Sequence, residues 1–325
     1  MNTMMRYMAG RTRFLLLLCV ALTLTGCAQR SIKKTTPVLP EASVIREQAA
    51  RAIKRGATDQ AQQMLDKLIS MNLANAGDYG MRGTLAVAAG KYDEGKRYLS
   101  TAIVKAPDVP EFYYNRGYSL LQKDSLDAAI ADFSKALSLN DKMYRAYNGR
   151  GLAFYRKKEF MVAKKEFEKA ISIKHNYAEA FFNKGLALQK LELWGKAEEN
   201  YNTALRYNPE FARAHNNLAL LMLQNERYTD ALDHLNEAIL YQPSEAVFYY
   251  NRGQLYARQW KHQEAAKEFS KAIGYKKDFA AAKAAMGVAL LREEDSVTGC
   301  KMLVEACDIG LCGTLDLYEE SGVCQ

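Results

Sequence analysis

The chain has 325 residues, 49% of them hydrophobic and 25% charged, with a formal net charge of +8. That apolar fraction supports a sizeable core, and with only 6 prolines the composition favours helix. Acids and bases are mixed along most of the length, unlike the concentrated basic stripe of a nucleic-acid binder, so no nucleic-acid partner is expected.

In chain order, residues 1–13 form a basic lead, Phe14–Leu24 an apolar run, and Thr25-Gly26 a small-residue step before Cys27. A bilayer-spanning helix needs ~20 apolar residues, so the shorter run reads as an export signal covering 1–26. The four residues Leu24-Thr25-Gly26-Cys27 resemble the bacterial lipobox. That resemblance implies a diacylglyceryl thioether on Cys27, cleavage after Gly26 and acylation of the new amine. Ala28 follows where Asp often retains lipoproteins in the inner membrane; the resemblance therefore implies the outer membrane, on its periplasmic face. Loss of Arg6, Arg11 and Arg13 with the signal takes the net charge from +8 to +5. Residues 27–41 contain Pro37 and Pro40 and lack apolar periodicity, so they are expected to form a tether.

From there a 34-residue period organises the chain. The stretch beginning EFYYNRG at Glu111 returns as VFYYNRG at Val247, four periods later. One small-residue column reads Gly83, Gly117, Gly151, Gly185, Ala219, Gly253, Gly287. Two more begin at Gly95 and at Ala102. Between them runs a large apolar column: Leu99, Phe133, Phe167, Tyr201, Leu235, Phe269, Leu303. Pro107, Pro209 and Pro243 recur where a helix should end.

This period and these columns resemble the tetratricopeptide repeat (TPR) family. In the family's numbering the small residues stand at positions 8, 20 and 27 of each repeat and the large one at 24. The resemblance implies an all-α solenoid of antiparallel helix pairs wound into a right-handed superhelix. The expected divisions are a degenerate repeat at 42–75, six full repeats over 76–279, and a last repeat with a capping helix over 280–325. The degenerate copy keeps Ala49, Ala61 and Leu65 but has Leu68 where the others have Ala.

The last 26 residues hold Cys300, Cys307, Cys312 and Cys324, and an exported chain favours disulfides. Their spacing is not that of a CxxC zinc site. Cys300 and Cys307 are two helical turns apart, ~10 Å, too far for a disulfide. Residues 314–321 read as a short helix folding back on 297–309, which predicts Cys307–Cys312 and Cys300–Cys324 pairs.

No catalytic constellation is legible. His175, His215, His234 and His262 stand in different repeats without triad or metal-ligand spacing, and no glycine-rich phosphate loop occurs. The expectation is a binding protein, not an enzyme, with no cofactor and no metal. In the family, position 6 of the first helix faces a concave groove. Here that column holds Asn115, Asn183, Asn217 and Asn251, with Gly149 among them. Asparagine can donate and accept at once, so the column reads as either a peptide-clamping ladder or a local structural one. Tyr114, Phe182 and Tyr250 at position 5 would receive apolar side chains. Arg145, Arg156, Lys190, Arg213 and Arg258 would favour an acidic ligand. They do not reproduce the carboxylate clamp of chaperone-binding TPR domains. The whole is similar to lipid-anchored TPR proteins of the NlpI type, which are adaptors, and to TPR pilotins, which escort pilus secretins. The implied partners are proteins or extended peptides of the cell envelope.

Overall fold

The computed structural model describes residues 40–324. The expected signal over 1–26, the candidate lipidation site Cys27 and nearly all of the expected tether lie outside the described residues. Among the described residues there are seventeen α-helices and no strand. They gather into two compact units, one ending at His175 and the other beginning at Asn176.

The first unit contains α1 (Pro40–Lys54), α2 (Thr58–Ser70), α3 (Ala76–Ala88), α4 (Tyr92–Lys105), α5 (Pro110–Gln122), α6 (Leu126–Leu139), α7 (Tyr144–Arg156) and α8 (Phe160–Ile173). Helix α1 starts at Pro40, just inside the segment expected to be tether. A proline at the first helical position loses no intrahelical hydrogen bond and has φ already set. Each odd helix pairs with the even one after it, and α2, α4 and α6 pack on α3, α5 and α7. Where the two helices of a pair meet, the chain passes through the left-handed region at Gly56, Gly90, Asp124 and Lys158. At Asp124 the turn closes with N–H bonds from Asp124 to Leu121 O (3.1 Å) and from Ser125 to Leu120 O (2.9 Å). This double closure satisfies carbonyls that the helix end leaves open.

The small-residue columns let helices cross closely, and the large column fills the space beside each crossing. Phe133 and Phe167 are fully buried. Each contributes ~1.5–3 kcal/mol by removal from water. At the N-terminal end Ala49, Ala61, Leu65 and Leu68 form one core, so Leu68 packs where later repeats use alanine. Arg46 donates from Nε to both carboxylate oxygens of Asp78 (3.1 and 2.9 Å), tying α1 to α3. Asp78 also closes a capping box with Asn75 at the start of α3.

The second unit contains α9 (Ala178–Lys190), α10 (Trp194–Tyr207), α11 (Ala212–Gln224), α12 (Tyr228–Tyr241), α13 (Ala246–Arg258), α14 (His262–Tyr275), α15 (Ala280–Arg292), α16 (Ser296–Cys307) and α17 (Gly313–Glu320). The same pairing recurs through α16. At Gly185 a Cβ would lie 2.6 Å from the Tyr201 ring, so only hydrogen fits between α9 and that ring. Helix α17 packs on α16. Cys300 is bonded to Cys324, with Cα atoms 5.4 Å apart, and Cys307 to Cys312 across the intervening turn.

Candidate functional site

Within each unit the first helices of successive repeats also touch one another: α3 with α5 and α5 with α7, then α11 with α13 and α13 with α15. They make a common face. Position 9 supplies its partly covered row, Tyr118 and Leu152 in the first unit and Leu220, Gln254 and Val288 in the second, and Leu186 takes the same position on α9. This row was not singled out from sequence, because an apolar residue on an amphipathic helix reads as core until its exposure is known.

The asparagine column sits elsewhere. Asn115, Asn183 and Asn251 are buried, at 4%, 6% and 5% exposure. Asn115 Nδ2 donates to Thr84 Oγ1 of the preceding repeat at 3.1 Å. Asn251 Nδ2 donates to Asn216 Oδ1 of the preceding repeat at 2.7 Å. Gly149 explains the register: a Cβ there would come within 2.7 Å of the Phe133 ring on α6. Position 6 therefore faces the joint with the preceding repeat. Only Asn217 is half-exposed. The peptide-facing placement of Asn115 and Asn251 is thus corrected to an inter-repeat one, and Asn183 is corrected to a buried residue.

The aromatic candidates are divided in the same way. Phe182 is buried between Tyr201 (5.7 Å between ring centres) and Phe211 (4.9 Å), as part of the core and not of an open groove. Tyr114 is partly exposed and packs on Phe133, while Tyr250 lies against Phe269 and Phe279. Burial raises the Tyr250 phenol above its usual range, opposed by the Gln254 amide that donates to it at 2.6 Å.

Several basic candidates have structural partners. Arg156 Nη1 donates to Leu121 O and Arg258 Nη1 to Leu223 O, near the C-terminal ends of α5 and α11. A cation there meets carbonyls without intrahelical partners and the negative end of the helix dipole. Arg213 lies 5.1 Å over the Phe182 ring, and Arg145 lies 5.6 Å over Tyr144. Lys190 is exposed, as is Arg292, which takes the same position in the last repeat.

A second periodic device was not recognised from sequence. Position 7 carries Arg116, Arg150 and Arg252, each reaching a carboxylate sixteen residues on: Asp132, Glu166 and Glu268. Each arginine also donates to a polar residue sixteen positions back: Ser100, Ser134 and Asn236. One guanidinium thus joins its own hairpin to the one before. Position 4 adds another link. Tyr113 and Tyr249 donate from their hydroxyls to Pro107 O (3.1 Å) and Pro243 O (2.9 Å).

The repeat 212–245 breaks both patterns. Position 4 is His215, position 7 is Leu218 and position 23 is His234. His215 Nε2 lies 2.9 Å from Pro209 O, and its Nδ1 lies 2.9 Å from His234 Nδ1. The sequence spacing of these two histidines gave no sign of the contact.

The model of the family described as "Tetratricopeptide repeat" matches residues 81–143, 182–246 and 222–285, and a second model of that description matches 144–177. No curated protein matches the chain significantly. Among solved structures, the Cut9–Hcn1 hetero-tetramer of the APC/C is similar with a TM-score of 0.66 and 15% identity. That match covers 84% of this chain and 54% of the other, so the chain spans about half the length of that relative. A tetratricopeptide repeat protein from Parabacteroides merdae is similar with a TM-score of 0.61 and 18% identity, over 77% of this chain and 98% of the other. Pseudomonas aeruginosa pilF follows at 0.59 and 17%, over 65% and 97%. At these identities the likeness is one of fold.

Proposed function

From the premise that this chain belongs to the tetratricopeptide repeat family, we propose that it is a membrane-anchored scaffold that assembles a bacterial cell-envelope complex. A TPR scaffold acts through protein–protein interactions, and the proposal concerns what is held, where and by which face. The ligand is an extended segment with apolar and acidic residues, held on the first-helix face of the second unit.

One observation carries this reading. Leu186, Leu220 and Val288 are partly exposed in a row, and exposed Lys190, Arg213 and Arg292 occupy other positions of the same helices. Apolar side chains would cover the row, while ligand carboxylates would meet the cations. Such complementarity supplies orientation and association rate more than raw affinity. The export signal and the Leu24-Thr25-Gly26-Cys27 sequence support lipid anchoring at the outer membrane, facing the periplasm. Several acyl chains at ~0.8 kcal/mol per buried CH₂ would anchor the chain stably.

A crosslinked pull-down from detergent-solubilised membranes tests the face, comparing wild type with Lys190→Glu/Arg292→Glu. Loss of specific partners from the variant supports it; equal capture by both removes it. The identity of the captured proteins separates an adaptor for envelope hydrolases and proteases from a pilotin-like secretin escort. Cys27→Ala tests the anchor independently. It should yield a chain that carries no lipid and keeps its signal.

A further inference from the structure

The rings of His215 and His234 form a hydrogen-bond chain whose proton positions follow from its far end. Pro209 O can only accept, so His215 Nε2, 2.9 Å away, carries a proton and donates. In neutral His215 the other nitrogen, Nδ1, is then an acceptor. His234 Nδ1, 2.9 Å from it, must carry the proton and donate. This chain crosses three elements: the loop after α10, helix α11 and helix α12.

We propose that this chain is a pH-sensitive latch at the joint between the repeats 178–211 and 212–245, closed when neutral and opened by protonation. The first added proton can enter at His234 Nε2 and leave the Nδ1–H···Nδ1 bond in place. A second proton must go to His215 Nδ1. Two N–H groups would then face each other within 2.9 Å, each on a cationic ring. The closed latch therefore accepts at most one added proton, whereas the open latch accepts two.

The surroundings bear on the same balance. Burial, followed by repulsion from His215, holds His234 below its ordinary value, against the pull of Asp230, Asp233 and Glu237 on α12. The Tyr241 ring lies 5.8 Å from His215, and the Tyr241 hydroxyl bonds Glu237 and senses Glu210 in the loop before α11. On α10, Arg206 is turned to Thr203; on α11, Arg213 lies over Phe182; on α13, Arg252 binds Asn236 and Glu268. A depressed histidine contributes stability that is present above the unfolded value, ~6.5, and is lost as pH falls toward the folded one. Two other repeats hold the equivalent joint with Tyr113–Pro107 and Tyr249–Pro243 links, and their arginines add Arg116–Ser100 and Arg252–Asn236 bonds across it. This repeat alone has a histidine at both positions, so opening should be confined to it.

Hydrogen exchange of the full chain in detergent micelles, expressed as protection factors from pH 7.5 to 5, tests the latch. The segments 205–218 and 228–241 should lose about tenfold protection per pH unit below the ordinary histidine range. The equivalent segments around Tyr249 and Pro243 should stay flat. In His215→Tyr/His234→Asn, which borrows residue types found at these positions in neighbouring repeats, neutral protection should persist and the pH dependence vanish. Nitrogen-15 imidazole spectra at neutral pH should show His215 protonated at Nε2 and His234 at Nδ1. Equal behaviour of the two sets of segments, a pH dependence that survives in the double variant, or the opposite tautomers would overturn the proposal.

Discussion

Truncating Asn251 to alanine separates an inter-repeat amide from a ligand-binding one. Asn251 and Asn216 are 5% and 7% exposed, and their side chains meet at 2.7 Å. Asn251→Ala removes the donor and leaves Asn216 Oδ1 buried without it. An unsatisfied buried polar group costs ~1–3 kcal/mol. At ~1.4 kcal/mol per decade, the local opening equilibrium around α11 and α13 should rise by a factor of about 5 to 150. Asn216→Ala should cost a similar amount, and the double variant less than the sum, with a coupling of ~0.5–3 kcal/mol. Asn217→Ala, at the half-exposed member of the column, should stay within ~0.5 kcal/mol. Native-state hydrogen exchange is the right readout, because a repeat stack opens locally. If Asn251→Ala proves no more destabilising than Asn217→Ala yet abolishes partner capture, the amide serves a ligand and not the joint.

Gly185→Ala places a Cβ within 2.6 Å of the Tyr201 ring, so overpacking should cost ~1–3 kcal/mol in a denaturant titration. Asp132→Ala leaves Arg116, which donates to both its oxygens at 2.7 and 2.8 Å, without its partner. A charge-assisted pair at a partly buried joint should lose ~1–3 kcal/mol, read as faster exchange in α5 and α6. Non-reducing peptide mapping should recover Cys300 linked to Cys324 and Cys307 linked to Cys312. Reduction should raise exchange over 313–324, since opening the longer loop removes ~3 kcal/mol of chain-entropy stabilisation. Burial, with Tyr275 beside it, pushes the Tyr249 phenol up to about 12. Its raised value means stability that is present below the ordinary tyrosine range, ~10, and lost as pH rises toward the folded value. An ultraviolet titration should lose a late phenolate step in Tyr249→Phe.

The repeat architecture was legible because its cause is local and repeated. A glycine or alanine every 34 residues, with a large side chain at a fixed distance, reports a crossing of two neighbouring helices. Gly185 and Tyr201 carry that information within sixteen residues of each other. What lay beyond the sequence was the direction of each column once repeats stack. Positions 5, 6 and 9 all occur on the first helix, and periodicity alone does not say which meets the preceding hairpin and which meets solvent. Gly149 against Phe133 shows that position 6 meets the hairpin, so the asparagines became joints and position 9 became the candidate binding row.

Charge followed the same division. Arg116, Arg150 and Arg252 showed no partner in the sequence, because each partner lies sixteen residues away on another helix. Hairpin closure brings a carboxylate, and stacking on the hairpin before brings serine or asparagine, onto each guanidinium. His215 and His234 are the sharpest case, nineteen positions apart with no motif between them. The sequence by itself determined the period, the helix ends and the small-residue crossings, which follow from short-range sterics. The tertiary structure alone decided which polar groups leave water and meet one another, because that depends on neighbours the chain acquires only after it has folded.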